Sequence, residues 1–89
     1  MNIPIIYSGI TDSGVVFVGA ACMDYDKVLN KNNKMVYPIL CVVKDMDEKT
    51  IYMGMIKDGS FAEARSRIRK AMQRAAKKSK DKLYEFKEL

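Results

Sequence analysis

The sequence predicts an α+β domain, a small antiparallel sheet packed by one long C-terminal helix. Two observations support this prediction. Residues 3–56 consist of short β-type apolar runs separated by polar turns, whereas residues 60–83 have the apolar spacing of an amphipathic helix. The predicted order is therefore β-β-β-β-α. A chain of 89 residues is expected to form a single domain over residues 1–89.

The first two predicted strands are joined by a turn rich in glycine. Residues 3–7 are a short β-type run, which Pro4 restricts to an edge strand or to the first residues of a strand. Residues 9–14 supply the turn, and residues 15–22 have strong β character. The two strands are therefore expected to pair as a hairpin.

A polar connection separates these strands from the next two. Residues 23–34 are rich in Asp and Asn and are expected to form a loop with one helical turn at residues 25–29. Residues 35–43 are the third predicted strand, in which Pro38 requires a bulge or an outward-facing edge position. A turn at residues 45–49 then leads to the fourth strand, residues 50–56.

The helix has the clearest start signal in the chain. Asp58-Gly59 is a turn pair, Ser60 is a good N-cap, and Glu63 stands three residues later to complete a capping box. The helix is predicted from Phe61 to about Leu83. At about 100° per residue its apolar residues fall on one face. They are Phe61, Ala64, Ile68, Ala71, Met72, Ala75, Leu83 and Phe86.

The basic residues of the chain are concentrated on the rest of this helix. Residues 1–60 contain six Lys and seven acidic residues, a net charge of −1, whereas residues 61–89 contain ten basic and four acidic residues, a net charge of +6. A helix surface that served solubility alone would mix charges of both signs. The asymmetry favours a polyanionic partner. The candidate binding residues are Arg65, Arg67, Arg69, Lys70, Arg74, Lys77, Lys78 and Lys80.

Both faces of the predicted sheet require cover, because residues 15–22 and 35–43 are apolar on both alternations. One helix covers one face, so a homodimer is predicted in which a second copy covers the other. The alternative is a platform for nucleic-acid bases. Its stacking rings would come from Tyr7, Phe17, Tyr37 and Tyr52, but these are interleaved with Val and Ile as core residues are.

The sequence gives little support to catalysis or to a cofactor. It contains no histidine, and Cys22 and Cys41 lie in apolar runs without a basic neighbour, as expected of reduced, buried thiols. Asp45, Asp47 and Glu48 resemble the start of a calcium loop, but Thr50 replaces its glycine. The prediction is therefore a cytoplasmic protein that is not an enzyme, with no metal, no cofactor and no membrane association.

The helix resembles the C-terminal end of a double-stranded RNA-binding domain. The resemblance covers about the last third of the chain and consists of a helix that begins near Ser60 and carries Arg69-Lys70-Ala71 and the run at residues 75–78. The family has paired lysines at the start of this helix, where residues 61–64 are Phe-Ala-Glu-Ala, and its first helix has no counterpart here. The resemblance implies that a helix on a sheet presents cations to phosphates.

Two functions from different classes remain open at this stage. The first is nucleic-acid binding through phosphates, with RNA preferred over DNA because no helix-turn-helix, zinc finger or basic heptad pattern is present. The second is a protein-binding inhibitor or adaptor, such as a viral accessory protein, whose basic helix docks on an acidic surface of a host enzyme.

Overall fold

The computed structural model, which describes residues 3–89, confirms the α+β class. In chain order its elements are β1 (Ile5–Thr11), β2 (Val16–Met23), β3 (Val28–Leu29), β4 (Met35–Val36), β5 (Ile39–Asp45), β6 (Thr50–Ile56), α1 (Phe61–Lys78) and β7 (Leu83–Glu88). Five strands form one antiparallel sheet in the order β6-β5-β2-β1-β7. Helix α1 contacts all five of these strands.

The predicted first hairpin is confirmed. Strands β1 and β2 pair in an antiparallel register in which Tyr7 lies opposite Gly19. Gly14 adopts a φ of +89° in the turn, a conformation that a side chain would strain. Of the two positions expected from Pro4, the edge strand is wrong, because β1 lies between β2 and β7, whereas the other is close to what is observed, because Pro4 immediately precedes the first residue of β1.

The start of α1 is as predicted, with one difference. Ser60 has extended backbone angles, and its hydroxyl accepts a hydrogen bond from the Glu63 backbone N–H at 3.2 Å. The carboxylate of Glu63 pairs with Arg67 at 2.9 Å instead of returning to the N-cap. The N-cap is therefore present, while the acidic residue of the predicted capping box forms an ion pair on the helix surface.

The predicted end of the helix near Leu83 is wrong, since α1 ends at Lys78. The backbone N–H of Lys80 donates to the Lys77 carbonyl, and that of Asp81 donates to the Ala76 carbonyl. This is a Schellman motif, in which the residue after the cap adopts a left-handed conformation and is commonly glycine. Here Lys80 has this conformation, with a φ of +54°, and it stops the helix.

Leu83 and Phe86 belong to β7 and not to the helix. A bulge between β1 and β7 pairs Thr11 with Leu83 but Ile10 with Glu85, so that Tyr84 is an extra residue. The bulge brings two side chains three residues apart to the same face of a strand, where both pack against the core. Their helical spacing in the sequence is explained by this irregularity.

The polar connection forms a small hairpin and not a helical turn. Strands β3 and β4 pair with each other, and Asn30 organises their loop by accepting hydrogen bonds from the backbone N–H groups of Asn32 and Lys34. The single strand predicted for residues 35–43 is interrupted by Tyr37 and Pro38, which lie between β4 and β5. Among the described elements, β3 and β4 contact only each other, so this hairpin does not cover the sheet.

The core lies between α1 and one side of the sheet, which we term the covered face. Its buried residues are Tyr7, Phe17, Ala21, Ile39, Cys41, Val43, Ile56, Ala64, Ile68, Ala71, Met72 and Ala76. Two strand glycines allow α1 to approach closely. A Cβ at Gly9 would collide with the Met72 sulfur, and one at Gly19 would collide with the Ile68 side chain. These glycines therefore form the hollows into which the two largest buried helix side chains fit.

The opposite side of the sheet, termed the open face, is also apolar. By strand register it carries Ile6, Ser8, Ile10, Val16, Val18, Ala20, Cys22, Leu40, Val42, Met53 and Met55, with Lys44, Glu85 and Lys87 at its border. No described element of residues 3–89 packs on this face. Tyr7, Phe17 and Tyr52 belong to the covered face, so β1, β2, β5 and β6 place no aromatic ring on the open face.

The register also separates the two cysteines. Cys41 pairs with Ala21 and is buried on the covered face, whereas Cys22 pairs with Leu40 and lies on the open face. Neither forms a disulfide in the described part of the chain. A bond between them would require one of the two strands to turn over, so the thiols are separated by the sheet itself.

Candidate nucleic-acid interface

The eight basic residues singled out from the sequence are all exposed, seven of them on α1 and one just beyond its end. They do not form one uniform band. Because successive residues are rotated by about 100°, the sheet side of the helix is flanked by two rows of cations, and a third group points away from the sheet. Each group has different neighbours and therefore a different capacity to bind an anion.

The first group, termed the β7 flank, consists of Arg65 and Arg69. Their guanidinium carbons lie 5.1 and 6.0 Å from the centre of the Phe86 ring in β7. Phe86 in turn stacks on Tyr7, with ring centres 5.3 Å apart and planes within 8° of parallel. A guanidinium over an aromatic face keeps its charge and its N–H donors while losing conformational freedom. These two arginines are therefore held in place by the sheet.

The second group, termed the groove flank, consists of Arg67, Arg74 and Lys78. A hydrogen bond with Tyr52 of β6, together with the nearby Glu63 carboxylate, raises the pKa of Arg67. Arg74 and Lys78 line an open groove of about 770 Å³ whose far side includes the β5–β6 turn, with Asp45, Asp47 and Lys49. The charge of the groove flank is thus partly offset by carboxylates of this chain.

The β5–β6 turn is built by Asp45 as a turn residue. Its carboxylate oxygen Oδ1 accepts hydrogen bonds from the backbone N–H groups of Asp47 and Lys49, both at 2.9 Å. Glu48 adopts a φ of +62° in the same turn. In residues 3–89 there is no cluster of three or more His, Cys, Asp or Glu side chains able to hold a metal ion.

The third group, termed the outer ridge, consists of Lys70 and Lys77, which the helical rotation directs away from the sheet. Lys80 follows the end of α1, and sequence reasoning left out Lys82, which is exposed at the same end. Within residues 3–89, the ion pair between Arg67 and Glu63 is the one formed by a basic residue of α1. The outer ridge therefore carries positive charge without a carboxylate partner in the described chain.

Asp81 is the acidic residue nearest this cationic end in sequence, and its carboxylate bonds to the β1–β2 turn. The hydroxyl and the backbone N–H of Ser13 donate to it, and the backbone N–H of Lys82 donates to Oδ1 at 2.9 Å. Hydrogen bonds from Ser13 and Thr11 lower the pKa of Asp81 to about 2. Asp81 therefore stays ionised as a link between the helix end and the sheet, not as a partner of the surrounding lysines.

The thiol of Cys41 lies in the core and does not form part of this surface. It is buried beneath α1, and burial raises its pKa, which keeps it protonated near neutral pH. Arg67, whose charge acts in the opposite direction, is the smaller influence. The thiol therefore acts as a small core group.

No protein-family model, curated protein or solved structure matches this chain. In the described residues, no helix has the length and apolar character that crossing a membrane requires.

Proposed function

We propose that this protein binds nucleic acid, RNA in preference to DNA, by contacting phosphates with the exposed side of α1. The observation that carries the proposal is that these basic side chains are exposed and mostly without carboxylate partners. Eight basic side chains are exposed on and just after one helix, and within residues 3–89 only Arg67 among them forms an ion pair. An uncompensated row of cations on a rigid element is the electrostatic footprint of a polyanion-binding surface.

The three groups of cations are expected to contribute unequally. Lys70 and Lys77 of the outer ridge have no carboxylate partner in the described chain, so binding a phosphate breaks no ion pair. Arg65 and Arg69 are ordered by Phe86, which lowers the entropy that binding must remove. The groove flank faces Asp45 and Asp47 and should contribute less per charge.

The preference for RNA depends on which recognition elements the chain offers. Residues 3–89 contain one helix, so a second helix for a helix-turn-helix is absent from that part. No base-reading arrangement accompanies the cations, and contacts to phosphates carry no sequence information directly. Low sequence specificity is therefore expected, with recognition of duplex shape or of a single-stranded backbone.

The decisive experiment compares pairs of substitutions that remove equal charge. Binding is measured by fluorescence anisotropy against salt for duplex RNA, single-stranded RNA and duplex DNA. Each phosphate contact contributes a slope of about −0.9 for duplex DNA and about −0.7 for a single strand in a plot of log affinity against log salt. Lys70→Gln with Lys77→Gln should flatten the slope by about one to two units and weaken all sequences alike.

Two further pairs serve as matched controls. Arg74→Gln with Lys78→Gln should flatten the slope less than the outer-ridge pair does, because the acidic turn already offsets that flank. Lys34→Gln with Lys44→Gln removes the same charge at exposed positions outside both α1 and the groove, and should change the slope little. An outer-ridge variant with unchanged affinity and slope, or a wild-type protein that binds no nucleic acid at low salt, would refute the proposal.

Refutation would leave the acidic protein surface as the leading hypothesis. In that case the same helix would dock on the acidic face of an enzyme, as an inhibitor or adaptor does. The partner captured from cells would survive nuclease treatment and elute with salt, since salt screens the same side chains in both cases.

A further inference from the structure

We propose that the open face of the sheet is covered by a second copy of this chain, so that two sheets pack face to face with the two α1 helices outermost. The dimer inference stands on its own observations. Its consequence for binding, which is that one dimer holds two nucleic-acid segments, rests on the function proposed above.

The first argument is the distribution of charge on the open face. Its charged side chains are Lys44, near the end of β5, and Glu85 and Lys87, on the edge strand β7. The centre is uncharged, and its Val18 and Leu40 are 39% and 38% exposed. An apolar centre with charged side chains at its border, here at the β7 edge and at one end of β5, is typical of a protein interface.

The second argument is area. Five strands about 4.8 Å apart, each of about seven residues at about 3.3 Å per residue, give a face of roughly 550 Å². Two such faces bury roughly 1,100 Å² in total, which exceeds the minimum of about 1,000 Å² for a biological interface and lies just below the range of stable interfaces, which begins at about 1,200 Å². The area therefore suffices for a dimer that dissociates on dilution.

The third argument is shape. A shallow hollow of about 430 Å³ lies on the open face near the β5–β6 turn. Its apolar lining includes Val18, Ala20, Val42 and Met46, and its charged lining is Lys44, Asp45 and Glu48. The exposed side chains of Leu40 in β5 and Met55 in β6, which are paired neighbours, lie toward the opposite end of the sheet from the β5–β6 turn. In a two-fold dimer whose axis crosses the strands, these knobs would sit over the partner's hollow. A protrusion and a hollow at opposite ends of one face are the arrangement that a two-fold pairing of that face requires.

The other occupant considered for this face was nucleic-acid bases. Bases bind protein surfaces by stacking on successive aromatic rings. Strands β1, β2, β5 and β6 carry none on the open face, and β7 offers one exposed ring, Tyr84, at the bulge on the edge of the sheet. Strands β3 and β4 make no contact with the strands of the large sheet, and their loop is tied by Asn30 to Asp58, beyond the end of β6, so the hairpin does not cover the open face. A second copy is therefore the occupant that the described surface fits.

The first test is sedimentation of the wild-type protein over a range of micromolar concentrations, which should show a reversible monomer–dimer equilibrium. Val18→Lys puts a charge at the centre of the open face and should weaken dimerisation at least tenfold. Val15→Lys is the matched control, since Val15 is 47% exposed in the β1–β2 turn, outside the open face, and it should leave the dimer intact. Circular dichroism checks that each variant is folded.

A second measurement needs no variant. Cys22 lies on the open face, so its alkylation by iodoacetamide should slow as protein concentration rises and more of the chain is dimeric. Cys41 is 1% exposed and should stay unreactive in both states. A protein that is monomeric throughout, or a dimer in which Cys22 reacts at the monomer rate and which survives Val18→Lys, would overturn the proposal. The second result would indicate pairing through a sheet edge instead.

The consequence for binding is tested by bridging. Two RNA duplexes with different fluorophores should show energy transfer in the presence of the wild-type protein. Val18→Lys should bind each duplex with little change in intrinsic affinity but produce no transfer. Absence of any RNA binding would refute the function while leaving the sedimentation result standing, so failure of the dimer and failure of the function are distinguishable.

Discussion

Both faces of the sheet are apolar, but they differ in the sizes of their side chains. The covered face combines rings and branched residues with Gly9 and Gly19, which make room for Met72 and Ile68 of α1. The open face carries no glycine and presents branched residues and methionines to solvent. A strand with apolar residues at both odd and even positions thus indicates that both faces of the sheet are buried against another element. The positions of its glycines indicate which face packs against a helix of the same chain.

The largest expected effect contrasts one methionine on each side of the molecule. Met72→Ala should lower the free energy of unfolding by about 2–5 kcal/mol, because Met72 is fully buried and its loss leaves a cavity. Met53→Ala removes the same atoms from a side chain that is 74% exposed on the open face. Under dilute conditions it should cost less than about 0.5 kcal/mol. Urea denaturation measures both, and equal losses would contradict the assignment of the faces.

A smaller effect is expected from adding volume at adjacent positions of β2. Ala21 is fully buried against α1, so Ala21→Val should destabilise the protein by about 1–3 kcal/mol through overpacking. Ala20 points to the open face, and Ala20→Val should stay within about 0.5 kcal/mol of the wild type in dilute solution. If Ala20→Val proved the more damaging substitution, the assignment of the two faces would have to be reversed.

Helix α1, which packs on the covered face, has an N-cap whose removal should measurably lower the free energy of unfolding. Ser60→Ala removes the acceptor for the Glu63 backbone N–H and should cost about 1 kcal/mol of stability. Nucleic-acid affinity of the folded protein should not change. Ser66→Ala, an exposed position within α1, is the control and should be neutral or slightly stabilising. A loss of affinity without a loss of stability would place Ser60 in the binding site.

The smallest expected effect concerns Asp81, which joins the end of α1 to the β1–β2 turn. Its folded pKa of about 2 is below the ordinary value of 3.8, so its ionised form stabilises the folded state above the ordinary value. This contribution is lost as pH falls through the folded pKa. In urea titrations, wild type and Asp81→Asn should differ near neutral pH and converge at about pH 2. A difference that persisted there would assign the effect to packing.

Much of this architecture could be predicted from residue pattern, and the errors have local causes. The bounds of β6 and the start of α1 agree with the sequence prediction because turn and cap residues mark them. The end of α1 was missed because Lys80, and not a glycine, adopts the left-handed conformation that stops it. Leu83 and Phe86 suggested a longer helix because a β-bulge gave a strand a spacing of three.

The candidate site was predictable in composition but not in arrangement. The sequence identified the eight cations, yet it placed Phe86 on the helix, whereas Phe86 lies in β7 beneath Arg65 and Arg69. The sequence also predicted that Arg74 and Lys78 bind phosphate as the outer ridge does. It could not show that Asp45 and Asp47 lie across a groove from them, because that groove depends on tertiary structure. The different surroundings of these cations result from packing between segments distant in sequence, which the periodicity of one helix cannot predict.

The pairing of β1 with β7 has a kinetic consequence. It joins the two ends of the described chain, since Tyr7 lies opposite Glu88, whereas β1–β2 and β5–β6 are hairpins between neighbouring segments. Loop-closure entropy delays such distant pairings, so β7 should dock after the hairpins have formed. In pulse-labelling hydrogen exchange during refolding, amides of β7 should be protected last. The Phe86 ring would then reach Arg65 and Arg69 in the final step of folding. The two arginines would therefore be present on α1 before their side chains are ordered.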